Sequence, residues 1–193
     1  MKKKESLNAR CARARKGLFG VMLLVGLVTH GVSPALGDGE ADWEYKLKAE
    51  CLYRCMQLVD WPPNALSAAS PTLTLGILGQ SPVGSALDVY SDKSIQGKKL
   101  VIKHLTGVQE AAGCQAVFVC SSEQKNLKNI VEELKLSGTL TSSDIPGFAK
   151  SGGIIGITVK ANHPDPQINR AAAKREKISI RSELLTLCTV IRE

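Results

Sequence analysis

The chain has 193 residues, with 25 Lys+Arg against 18 Asp+Glu, 44% hydrophobic residues and 4% aromatic ones. That length and apolar content are enough for one packed core and exclude a disordered or fibrous chain. The net charge of +7 gathers at one end, which excludes an electrostatic footprint for nucleic acid on the remainder.

Residues 1–16 carry Lys2, Lys3, Lys4, Arg10, Arg13, Arg15 and Lys16 against Glu5 alone, and an apolar run from Leu18 to Val28 leads to Ser33-Pro34-Ala35-Leu36-Gly37. A basic region, a short apolar core and small residues predict a secretory signal peptide, residues 1–37, cleaved after Gly37. The run is too short to span a bilayer comfortably. Cys11 precedes it, so there is no lipoprotein signal at the cleavage site. The remainder, residues 38–193, has 18 basic and 17 acidic residues, a net charge of +1, and is long enough for a single domain.

Asp42 to Val59 predicts an amphipathic helix, with Leu47, Cys51, Leu52, Cys55, Met56 and Val59 recurring at intervals of three and four. Trp61-Pro62-Pro63 stops it, because proline lacks an amide donor and disfavours a helical residue before it. Leu73–Leu78 predicts a strand, Gly79–Gly84 a turn and Ser85–Tyr90 a helix. Lys99–Leu105 and Ala116–Val119 predict strands, Glu123–Leu136 a charged amphipathic helix, and Thr139–Thr141 and Ile154–Val159 further strands. Between the last two, Ser143 or Asp144 can cap a short helix that tolerates Pro146 in its first turn, and Ser151-Gly152-Gly153 reverses the chain. Asn162-His163-Pro164-Asp165-Pro166 is a loop by composition, and Ser182–Ile191 an apolar helix. Such alternation predicts an α/β fold: a single three-layer domain with a central, mostly parallel sheet flanked by helices.

Five cysteines follow the signal segment: Cys51, Cys55, Cys114, Cys120 and Cys188. If Cys114 and Cys120 bracket a strand, six residues hold them roughly 20 Å apart, beyond bridging distance. Cys51 and Cys55 leave one helix face nearly in parallel, a poor geometry for a bond between them. Two helices on one face of a sheet could instead bring Cys51 or Cys55 within bridging distance of Cys188, and at least one long-range bridge is expected, neither Cys114–Cys120 nor Cys51–Cys55. No histidine completes a metal set with these thiols, and neither a metal nor a cofactor is expected.

No G-x-S-x-G, H-E-x-x-H or nameable Cys-His pairing is present, so catalysis is not expected. Gly79–Gly84 lies between a strand and a helix, where free amides could hold an anion, but it lacks the Lys-Ser/Thr of a P-loop. Trp61 is a candidate aromatic anchor for a partner, against the alternative that it closes the core at the helix end. Asn169 is a candidate partner contact or a helix cap before Arg170-Ala171-Ala172-Ala173.

Glu44-Tyr45-Lys46, Lys48-Ala49, Leu52-Tyr53 and Val59-Asp60-Trp61-Pro62 are followed by Leu78-Gly79 with Pro82 and Gly84, then by Gly97-Lys98 and Cys114-Gln115. Leu140-Thr141, Ser143-Asp144, Gly147-Phe148-Ala149, Gly152-Gly153 and Ile168-Asn169 continue the series. In this order they resemble the YfiR family of bacterial periplasmic proteins over nearly all of the chain after residue 37. The resemblance implies a three-layer α/β domain, commonly a homodimer, that represses a membrane-bound diguanylate cyclase through its periplasmic sensor domain. It also implies release by an outer-membrane lipoprotein that sequesters the repressor. Cys51 and Cys55 stand where the family often carries aromatic residues. A small-molecule binder, or an accessory subunit of another envelope signalling system such as a sensor kinase, is the alternative.

Overall fold

The structure is a computed structural model that describes residues 38–66 and 68–191, so the expected signal segment lies outside the described residues. Helix α1 (Asp38–Gln57) buries Ala49, Leu52, Cys55 and Met56 along one stripe. It ends two residues earlier than the periodicity suggests. Val59–Asp60 leave it to form β1, whose backbone pairs with Ser179–Ile180. Strand β2 (Thr72–Leu78), helix α2 (Pro82–Leu87), a 3-10 turn at Asp88–Tyr90, β3 (Ser94–Ile95) and β4 (Lys98–Leu105) follow. Then come β5 (Ala116–Val119), a 3-10 stretch over Ser121–Asn126, α3 (Leu127–Glu133), β6 (Leu140–Ser143) and β7 (Ile155–Lys160). The chain continues through β8 (His163–Asn169), α4 (Arg170–Arg175), β9 (Ser179–Ile180), α5 (Ser182–Thr186) and β10 (Thr189–Ile191).

Eight strands form one sheet in the order β10-β8-β7-β6-β5-β2-β4-β3, and β1 and β9 form a separate pair. All contacts in the large sheet are parallel except β3 with β4 and β7 with β8. Strand β5 is buried on both faces and divides the core: Ala116 and Phe118 face the layer of α1, α2, α4 and α5, while Val117 and Val119 face the layer of α3. Each large side chain fully buried there, such as Leu52 or Phe118, contributes about 1.5–3 kcal/mol. The α/β expectation therefore holds.

Helix α2 starts at Pro82, inside the expected Gly79–Gly84 turn, because the Ser81 hydroxyl caps it, and four further local expectations change. The Glu123–Leu136 helix is α-helical only from Leu127 to Glu133, because the Ser122 hydroxyl accepts the Gln80 amide at 2.8 Å and tightens the preceding turns against the β2 loop. Asn162–Pro166 is a hairpin, with Ala161 and Asn162 both at positive φ in the manner of a type I′ turn. Pro164 and Pro166, two residues apart, direct their missing donors to one side of β8, as an unpaired edge permits. Ser182–Ile191 is a short helix followed by a strand, since the β-branched Thr189-Val190-Ile191 pairs in parallel with Gln167–Asn169.

The segment Asp144–Gly153 is a series of turns, not a capped helix. The Ser143 hydroxyl does accept the Ile145 amide, at 2.9 Å, but Gly147 at φ +79° breaks the helical path. The Phe148 ring then lies over Gly153, where an added Cβ would meet it at 2.0 Å. Asn169 closes the segment: its Nδ2 donates to the Ala149 carbonyl at 2.9 Å and its Oδ1 accepts the Ala172 amide at 2.8 Å. Asn169→Ala removes an N-cap and a buried amide bond, and is expected to lower stability by about 2 kcal/mol in urea unfolding. A change within about 0.5 kcal/mol would contradict these roles.

Candidate interaction surface

Strand β2 has β4 on one side and β5 on the other, so the strand order reverses beside it. The carboxyl ends of such strands are where an open α/β sheet ordinarily binds a ligand. Here the loops after β2 and β5 pack on each other, and beside them an open pocket of about 590 Å3 is lined by Ile77, Gly79, Gln80, Ser81, Gly84 and His104. Gly79, at φ +82°, lies so close to the β5 loop that an added Cβ would stand 2.4 Å from the Ser122 hydroxyl. Ser122 returns its amide to the Gln80 carbonyl at 3.3 Å, and the Ser81 hydroxyl accepts the Gly84 amide at 3.0 Å, capping α2. Gly79–Gly84 thus joins a strand to a helix and packs against a neighbouring loop.

Beside this crevice stands Asp144, its side chain 9% exposed, with Oδ2 at 3.9 Å from Lys48 Nζ and Oδ1 without a hydrogen-bond partner. Lys48 also pairs with Glu44 at 2.6 Å. Burial pushes the Asp144 carboxyl up, and the Lys48 charge offsets part of that shift. A raised carboxyl favours folding below its unfolded value, and that contribution is lost as pH rises through its folded value. Asp144→Asn is therefore expected to raise the melting temperature at pH 7, with the gain shrinking as pH falls towards the ordinary carboxylate range. An equal gain at both pH values would argue against burial of the charge as its cause.

The sequence-predicted contacts are turned inward. Asn169 is 0% exposed and its amide is engaged within the chain. Trp61 is half-buried against the core, and its indole N–H donates to the Gln115 carbonyl at 2.7 Å. Gln115 also accepts the Thr74 amide through Oε1 at 2.8 Å and donates to the Ala65 carbonyl at 3.1 Å, so Trp61 belongs to a clasp between the end of α1 and the start of β5.

A different tryptophan faces outward. Trp43 is 45% exposed on the first half of α1, and Val89, 69% exposed, stands on the 3-10 turn after α2. Between them Leu47, Ala86 and Tyr90 line a shallow pocket of about 320 Å3, with Lys46 and Glu50 at its edge. Tyr90 is stacked on Tyr53, ring centroids 4.6 Å apart, and the Tyr53 hydroxyl donates to the Ser94 carbonyl at 2.9 Å, so the floor is rigid. Glu50 is held by Arg54 and Lys46 by Asp42, each pair at 2.6 Å. An exposed tryptophan over a fixed apolar floor with a charged rim is the anatomy of a protein-binding anchor. Sequence reading missed it because Trp43 lies at the very start of the predicted helix. Its i, i+4 relation to Leu47 was the available signal, for it marks a second apolar strip away from the buried one.

The five cysteines among the described residues are thiols in this structure. Cys114 and Cys120 flank β5 and belong to opposite hydrophobic layers. Cys120 is packed against Gly84, and burial pushes its thiol up to about 11. Cys51 and Cys55 share a hydrogen bond on α1, with Cys188 in electrostatic reach of both. The hydrogen bond from Cys55 favours the Cys51 thiolate, whereas that bond and burial push Cys55 up; burial, reinforced by Cys51, pushes Cys188 up to about 12. Among the described residues no group of three or more His, Cys, Asp or Glu side chains is arranged to hold a metal ion, and no helix is long and apolar enough to cross a membrane.

The chain is thus a three-layer α/β domain that exposes an aromatic patch on α1. Residues 45–189 match the YfiR/HmsC-like family model, and the chain belongs to that family. It is a family of regulatory, non-catalytic proteins known in periplasmic control of cyclic-di-GMP signalling. No curated protein matches the chain. Among solved structures it is similar in fold to a conserved domain protein from Vibrio cholerae O1 biovar eltor strain N16961, with TM-score 0.57 and 13% identity over 75% of this chain. It is similar also to the ABC domain in complex with L-Trp from Streptococcus pneumonia, with TM-score 0.51 and 15% identity over 77% of this chain. The chain spans 60% of the length of each.

Trp43→Ala is expected to weaken partner binding at least about tenfold while leaving the melting temperature nearly unchanged. Trp61→Ala should do the reverse, costing about 3 kcal/mol of stability. Thermal melts and co-purification of the two variants from envelope extracts separate the roles; equal loss of stability from both substitutions would remove Trp43 as a surface anchor.

Proposed function

We propose that this protein is a periplasmic regulator that binds the periplasmic sensor domain of an inner-membrane diguanylate cyclase and represses cyclic-di-GMP synthesis. The family match over residues 45–189 carries the reading, and the exposed Trp43–Val89 surface supports it by supplying an anchor for a protein partner. Export follows from the basic and apolar segment 1–37, with processing after Gly37. From the periplasm the protein cannot touch cytoplasmic nucleotide, so it acts by favouring one conformation of the sensor domain. Switching such a domain from mostly on to mostly off takes about 5 kcal/mol of differential affinity, within reach of an ordinary protein interface. An outer-membrane lipoprotein that competes for the repressor relieves the inhibition, and a homodimer presents two copies of the binding surface.

Deleting the gene is expected to raise cellular cyclic-di-GMP, and the Trp43→Ala variant should fail to restore the low level. Unchanged nucleotide in several growth states, with a sensor kinase or other envelope protein recovered in its place, would assign the protein to another signalling system.

The thiol trio adds a second level to the same reading. We propose that in the oxidising envelope one of Cys51 and Cys55 joins Cys188, two thiols giving one disulfide with two protons and two electrons passing to a disulfide-exchange oxidant. Hydrogen bonding favours Cys51 as the attacking thiolate. The bridge ties α1 to the start of β10, and its loss costs about 2–4 kcal/mol. Peptide mapping under non-reducing conditions, on periplasmic protein beginning near Asp38, is expected to find a Cys188 bridge and neither Cys51–Cys55 nor Cys114–Cys120. Five free thiols would refute it.

A further inference from the structure

The most spacious groove described lies away from the Trp43 surface, between α4, β9 and the outer edge of β10, with a volume of about 840 Å3. Its floor is apolar, built from Ala173, Ile178, Ile180, Val190 and Ile191. Its rim is basic: Arg170, Lys174 and Lys177 line it and are all exposed. Among the described residues no carboxylate pairs with any of these three, whereas the neighbouring Arg175 and Arg181 are paired with Glu176 and Asp60. Strand β10 ends the large sheet, bonded to β8 on one side and carrying no described strand on the other.

A free strand edge offers N–H and C=O groups that an extended segment can match, and the side chains of such a segment alternate between two sides. We propose that this groove docks an extended acidic segment of another protein, added as a strand to β10, with carboxylates against Arg170, Lys174 and Lys177 and apolar side chains on Ile178, Ile180 and Val190. Charge selects the occupant. A second copy of this chain, paired edge to edge through β10, would bring two basic rims together, while an acidic segment gains attraction along the whole rim. The Trp43 surface is separate, so this proposal stands or falls independently of the cyclase reading.

The test is fluorescence anisotropy of the purified protein with a fluorescein-labelled octapeptide of alternating glutamate and valine. Saturable binding is expected, weakened about tenfold by Lys174→Glu and by raising monovalent salt from about 0.05 to about 0.5 M. It should be lost when alternate peptide amides are N-methylated, which removes the donors for the strand edge at unchanged charge. Lys177→Gln provides a second charge variant if Lys174→Glu lowers the melting temperature. Absence of saturable binding, equal binding of the N-methylated peptide, or displacement by decanoate at similar concentration would each overturn the proposal; the last would assign the groove to small amphiphilic anions. A dimer in sedimentation that competes with the peptide would assign the edge to a second copy and overturn it too.

Discussion

The long connection between β6 and β7 forms only turns of its own, so part of its buried backbone takes partners from elsewhere. Asn169 supplies the central one, holding the Ala149 carbonyl and the α4 amino end with a single side chain. Thr141 accepts the Ile154 amide at 3.0 Å, and the Ser142 and Ser143 hydroxyls donate to the Val117 and Val119 carbonyls of β5. These bonds are buried, where a lost partner leaves a group that water cannot reach. The Phe148 ring can then settle over Gly153, and the α3 layer closes around it.

Glu176 performs the matching task at the other end of α4. Its carboxylate, 4% exposed as a residue, accepts the Leu136 and Gly138 amides at 3.1 and 3.2 Å, both residues being at positive φ. A turn of this strain is held from outside by a helix distant in sequence. Asn169 and Glu176 flank the six residues of α4, which explains how so short a helix can tie the β6 side of the sheet to the β9–β10 region. The basic rim of the α4 groove stands on this fixed base, with its cations on the side of α4 away from the core.

Much of the fold was legible in the sequence because its signals are local. The apolar stripe of α1, the run Leu73–Leu78 and the fully apolar Ala116–Val119 identify their elements by period and length, and the Trp61-Pro62-Pro63 stop lies just beyond the end of α1. The misread strands fail for one shared reason. Val59–Asp60, His163–Asn169 and Thr189–Ile191 are strands only because a distant segment offers a matching edge, and the two prolines of β8 are tolerated because one of its edges is free there. For the candidate site, the sequence pointed to aromatic and amide residues, yet could not say which way each faced. Trp61 and Asn169 were drawn inward by the carbonyls of Gln115 and Ala149, and Trp43 was left outside.

By itself, then, the sequence determined the near-neutral charge of residues 38–193, the α/β class and the family, since each is written in composition, period or ordered motifs. Tertiary structure alone decided that the β2 and β5 loops pack on each other, that Cys188 packs against the apolar cluster holding Cys51 and Cys55, and that Trp43 and the α4 rim face solvent. The division has a physical basis. Backbone propensity and hydrophobic period act over a few residues, whereas filling, meeting and facing depend on contacts between segments tens to more than a hundred residues apart, which no local pattern encodes.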